Sequence, residues 1–121
     1  MVEATIMTQN QPEFKDNELY RLLRDENVSE FNKQRGEGDS CDLSGADFRN
    51  LVLSKIDAHD IDFSNCYFRG CDLRGIDFSS CNLAGASIHD AQISGVLFPI
   101  ELDAAEIRLS HQHGTRMRYR K

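Results

Sequence analysis

Residues 41–100 read CDLSG ADFRN LVLSK IDAHD IDFSN CYFRG CDLRG IDFSS CNLAG ASIHD AQISG VLFPI when spaced in fives. The third residue of each block is large and apolar: Leu43, Phe48, Leu53, Phe63, Phe68, Leu73, Phe78, Leu83, Ile88, Ile93 and Phe98, with Ala58 as the small exception. The first residue is apolar in all twelve blocks, and the other three positions are largely polar. A helix needs apolar residues recurring at three and four, and a long strand needs them at every second residue, so neither explains a strict period of five. Something turns every five residues.

If each block is a short extended segment followed by a tight turn, its first and third side chains point the same way, into a core. Gly or Asn closes seven blocks, at Gly45, Asn50, Asn65, Gly70, Gly75, Gly85 and Gly95, where a turn with a positive backbone angle favours them. Four such sides close a square coil, and twelve blocks give three coils. Every twentieth residue then stacks, so Phe48, Phe68 and Ile88 form one central column and Ala58, Phe78 and Phe98 another. The gap at Ala58 is expected to be filled by an N-terminal helix.

Twelve such blocks in register resemble the pentapeptide repeat family, whose pattern is A(D/N)LXX. The resemblance implies an all-β solenoid, a right-handed quadrilateral parallel β-helix, over half of the chain. Val52, Tyr67 and Leu97 replace the usual Asp or Asn, and Ala58 the usual large residue.

A stacked solenoid is quasi-one-dimensional and exposes unpaired edges at both ends unless these are covered. The flanks supply short helical caps. Residues 1–12 read as a flexible segment and 13–40 as an N-terminal cap, with Leu19, Leu22 and Leu23 at helical spacing. A second helix is expected to start at Asn27 with Glu30 as its capping partner, bury Phe31 and stop at Gly36. Beyond the 41–100 solenoid, residues 101–121 form a C-terminal cap and basic tail. There, Asp103 and Glu106 have capping-box spacing, Leu102 and Ile107 staple spacing, and Gly114 terminates.

The 121 residues carry 14 Lys plus Arg against 20 Asp plus Glu, for a net charge of −6. The size excludes a large multidomain enzyme. No apolar run suits a membrane span or a signal-peptide core, so a soluble cytoplasmic protein with free thiols is expected. Cys41, Cys66, Cys71 and Cys81 all fall at the inward first position, where a thiol acts as a small hydrophobe. His111 and His113 make an isolated HxH, too little for a metal site. The second-position Asp42, Asp47, Asp57, Asp62, Asp72 and Asp77 project outward beside turns. With no nucleophile elbow, phosphate loop or HExxH, no catalytic residue, metal, cofactor or small-molecule substrate is expected.

The surface carries the remaining signal. Arg49, Arg69 and His89 fall in one outward ladder with Arg74 on the next side, and the tail adds Arg116, Arg118, Tyr119 and Arg120. Residues up to Thr115 carry 10 cations against 20 acids, a net of −10, whereas the last six carry +4. Either the tail docks on the acidic solenoid or it binds a partner. The leading expectation is a non-catalytic scaffold that binds an unknown partner protein through a side wall or the tail. As an alternative, the resemblance implies a DNA mimic acting on gyrase, a type II topoisomerase. Three coils at ~4.8 Å make a rod of only about 14 Å, matching roughly four base pairs. Weak binding of nucleic acid or an anionic surface by the tail is a further alternative, which the acidic body opposes.

Overall fold

The computed structural model describes residues 12–15, 17–36 and 41–120. All but Pro12 of the expected flexible segment lies outside them, as do residues 37–40 between cap and solenoid. From residue 41 the chain coils with a pitch of twenty residues, as shown by parallel bridges Asp42↔Asp62↔Asn82, Asp47↔Tyr67↔Ser87, Val52↔Asp72↔Gln92 and Asp77↔Leu97. These four columns are the four sides of three stacked coils. Each bridge is a single residue pair, and among the described residues no side extends into a longer strand. The parallel solenoid is present, but its sides are too short for a conventional sheet, because a turn follows the third residue of every five-residue block. The fourth side is the least paired, since nothing bridges Asp57 to Asp77.

Each turn is closed by an amide of one block donating to the third carbonyl of the block before, as from Ala46 to Leu43 (3.2 Å) and from Cys71 to Phe68 (3.0 Å). The fifth residue has positive φ at all seven predicted Gly and Asn positions, and also at Asp60 and Asp90. Asp tolerates this region through its short polar side chain. The second residue of the block contributes a separate lock. The carboxylate of Asp42, Asp47, Asp57, Asp62, Asp72 or Asp77, or the amide oxygen of Asn82, accepts from the backbone N–H two residues on. This Asx turn is the physical reason for Asp or Asn at that position.

The interior is filled by first and third residues. Phe48 and Phe68 stack with ring centroids 5.4 Å apart and planes 8° apart, and Phe63 meets Phe48, Phe68 and Phe78 edge-on. All third residues from Leu43 to Ile88 are buried, Ala58 included. Ile93 and Phe98 depart from expectation: they are only partly buried. The reason lies in the caps.

At the N-terminal end Glu13 pairs with Ala46, and α1 (Glu18–Arg24) and α2 (Val28–Gly36) follow. Asn17 caps α1 by accepting from the Tyr20 amide at 2.7 Å. The capping box expected at Asn27 is not made: its amide donates to the Leu22 carbonyl, and Glu30 accepts from Gln34 instead. Leu19, Leu23 and Phe31 are buried as expected, and α2 lies over the fourth side, bonded there through Asn32 and Arg35.

The upward-facing groups of the first coil are satisfied one side at a time. Asp47 N–H donates to the Glu13 carbonyl, and its own carbonyl accepts from the Tyr20 hydroxyl at 2.7 Å. Burial pushes the Tyr20 phenol up to about 12, so it stays a donor. Val52 N–H donates to the Glu26 carboxylate, and Asp57 N–H to the Asn32 side-chain oxygen, both at 2.7 Å.

At the other end α3 (Ala104–His113) ends at Gly114, which has φ 74°. The chain then returns as a strap under the first and second sides of the last coil. Gly85 N–H donates to the Met117 carbonyl (2.7 Å), and Met117 N–H donates to that of Ala86 (2.9 Å). Leu83 N–H donates to the Tyr119 hydroxyl (2.8 Å) and Ile88 N–H to the Ser110 hydroxyl (3.0 Å). No described residue pairs with the amides of Ile93, Gly95 or Phe98, so the third and fourth sides of that coil stay open. This leaves Ile93 and Phe98 partly exposed, with Leu97 58% and Ile100 80% exposed beside them.

Candidate functional site

The fourth residue of each block is the first of the two central turn residues and points outward, so a twenty-residue pitch stacks Arg49, Arg69 and His89 on the second side. Arg49 is held by Asp47 through two 2.9 Å bonds, from Nε and Nη2. Partial burial alone would raise the Asp47 carboxyl, but the side-chain and backbone hydrogen bonds from Arg49 outweigh it and hold it below the usual carboxylate range. His89 lies 3.6 Å from the exposed Asp90 carboxylate. Arg69, exposed between Arg49 and His89, has no side-chain partner among the described residues.

Two further cations reach this wall from the caps. Arg24 of α1 donates to the Asp47 carbonyl at 3.3 Å and stands 4.9 Å over the Phe14 ring. It lines an open polar hollow with Arg49, Asn50 and Arg69. On the strap, Arg116 covers the Tyr67 ring at 5.3 Å and donates to the Tyr67 hydroxyl. A cleft of about 200 Å³ runs between wall and strap, lined by Arg49, Tyr67, Arg69, Ser87, His89 and Arg116. Its inner end is Gly114, where a Cβ would stand 3.2 Å from the His89 ring, so the glycine also allows the strap to approach.

The period, the pitch of twenty and the Asx lock at the second position are thus in place. A family model described as pentapeptide repeats matches residues 61–98 with eight copies. Residues 61–98 carry pentapeptide repeats. The first coil, residues 41–60, lies outside the match but is in register with it through the bridges to Asp62, Tyr67 and Asp72. No curated protein and no solved structure matches the chain.

The other residues singled out in the sequence lie elsewhere, Arg74 on the solenoid and Arg118, Tyr119 and Arg120 on the strap. Arg74 is on the third side, held to Asp72 at 2.7 and 2.9 Å, and this bond lowers the Asp72 carboxyl. The tail docks on the body. Met117 is buried, Tyr119 is half-buried under Leu83, and Arg118 pairs with Glu106 at 2.6 Å. Arg120 pairs with Asp103 at 3.2 Å. These two pairs undo the expected capping box of α3: Asp103 makes no side-chain cap bond, because both carboxylates face the strap. Sequence reasoning found the Arg49, Arg69 and His89 ladder but missed Arg24, which only the packed N-terminal cap brings to it, and Tyr67, a second-position residue of the same side that stands out in the sequence only as a departure from the repeat.

The thiols are unsuited to chemistry. Those of Cys66, Cys71 and Cys81 donate to the carbonyls of Leu43, Phe48 and Ala58, and burial pushes Cys71 up to about 12 and Cys81 up to about 11. All four Cys are free. His111 donates to the Ala91 carbonyl at 2.8 Å and serves the cap. No cluster among the described residues could hold a metal, and no helix is long and apolar enough to cross a membrane.

Proposed function

We propose that this protein is a non-catalytic, cytoplasmic interaction scaffold that binds an acidic partner protein on the second side of a right-handed quadrilateral pentapeptide-repeat solenoid. One observation carries the reading: on a chain of net charge −6, this wall gathers Arg24, Arg49, Arg69 and Arg116, and Arg69 has no carboxylate to neutralise it. The wall is held by the stacked coils and two caps, so docking orders little. Arg118 and Arg120 are engaged with Glu106 and Asp103, which favours the wall over a free basic tail.

Affinity capture with the full chain tests this. A near-stoichiometric partner retained by the parent protein and by Arg74→Gln, but lost with Arg69→Glu, is the expected result. Retention by Arg69→Glu would refute the wall as the docking face. A partner lost instead with Asp42→Asn or Asp62→Asn would move the function to the acidic first side, and stoichiometric inhibition of gyrase supercoiling would mark it as DNA mimicry.

A further inference from the structure

Deepening the docking-wall reading, on which it rests, we propose that the cleft between the second side and the C-terminal strap is a binding site for a phosphate monoester. The phosphate would sit between the guanidinium groups of Arg49, Arg69 and Arg116.

Three separate parts of the chain deliver these groups to one cleft of about 200 Å³: the first coil, the second coil and the strap. Arg49 and Arg69 occupy the same position of successive coils, so backbone pairing brings them together even though like charges repel. Arg49 is half-committed to Asp47, and Arg116 rests on Tyr67. Arg69 lacks any anion of its own. Asp47 and Asp90 are the nearby acids, two against the four arginines of the wall, which leaves the face positive before His89 is counted. A guanidinium fork matches the oxygens of a phosphate or carboxylate. Three guanidinium groups bring three positive charges against the single charge of a carboxylate, whereas a phosphate monoester presents three terminal oxygens, one for each fork, and nearly two charges. The Ser87 hydroxyl and the His89 ring line the same cleft as further polar groups.

The phosphate can be carried by a free metabolite or by a phosphorylated side chain of the partner. Calorimetric titration of the purified full chain, at fixed ionic strength, would use inorganic phosphate, a sugar phosphate, and a serine peptide in phosphorylated and unphosphorylated forms. The expected result is saturable binding of the phosphorylated ligands, weakened at least about tenfold by Arg69→Gln and by Arg116→Gln and unchanged by Arg74→Gln. Preference for the phosphopeptide over inorganic phosphate assigns the partner side chain as the source, and equal binding assigns the free metabolite. No binding up to about 10 mM phosphate, or equal binding by parent and Arg69→Gln, overturns the inference. Because titration needs no partner, the two readings fail separately. Phosphate binding without Arg69-dependent capture removes the docking wall alone, and capture without phosphate binding removes the cleft alone.

Discussion

At the scale of single residues, the second and third positions of each block do different work. Third residues stack into the core, so Phe68→Ala, which removes a ring packed against Phe48, Phe63 and Phe78, should cost about 3–5 kcal/mol in urea unfolding. Its exposed neighbour offers a contrast, and Arg69→Ala should change stability by less than about 0.5 kcal/mol. Equal costs would mean that the five-residue register is misassigned. Second-position carboxylates lock turns, and hydrogen bonds from Ser44 and Ser79 hold Asp42 and Asp77 below the usual carboxylate range. Asp57 is lowered by its bond from His59, and Asp72 by its bond from Arg74. A depressed carboxylate stabilises the fold while ionised; that contribution is complete above the unfolded value of about 3.9 and is lost as pH falls through the lower folded value. Thermal melts should therefore give a Tm that is level between neutral pH and about pH 5 and falls below about pH 4. Asp77→Asn should keep the turn because an amide oxygen also accepts, as at Asn82, and should lose only the charge-dependent share of the stabilisation, so its neutral-pH Tm should fall slightly and that of Asp77→Ala further.

Among the elements, the caps are matched to the edges they cover. Ser110 is fully buried and satisfies the Ile88 amide, so Ser110→Ala should cost about 1–3 kcal/mol by stranding a buried donor. Met117→Ala, at a buried site on the strap, should cost about 2–5 kcal/mol, read from denaturant midpoints at constant slope. The existence of all three helices was legible in the sequence, as were the Gly114 stop and the inward faces of the N-terminal pair. The two capping boxes were not. Local spacing favours Glu106 folding back on its own helix, but Arg118, twelve residues on, offers it a charged bond once the strap returns. Likewise Asn27 N–H is taken by the end of the preceding helix. The incomplete cover of Ile93 and Phe98 depends on where the strap lands, which no local pattern encodes.

For the molecule as a whole, a period of five was enough to place Arg49, Arg69 and His89 on one wall, because the pitch converts sequence separation into distance. The same arithmetic is silent on Arg24 and Arg116, which lie outside the repeat and reach the wall through tertiary packing. It placed the second-position acids outward beside turns, and their charge entered the function only through the DNA-mimic alternative. The Asx locks give a different account, since each acid of the ladder Asp42 and Asp62 spends one oxygen on its own turn and Asn82 does the same without charge. Replacing Asp42, Asp62 and Asp77 together by Asn should shift the net charge from −6 to −3. The far-ultraviolet spectrum should stay unchanged and neutral-pH melting should fall only slightly, while native-gel mobility falls. A collapsed fold in that variant would show that the charge itself is structural.

Seven turns that accept either of two near-identical side chains make the outline of this rod independent of its isoelectric point. The same solid could be recast from anionic to neutral by single-atom changes, oxygen for nitrogen, with every contour of the walls retained. Shape and charge, coupled in most recognition surfaces, are here separate dials.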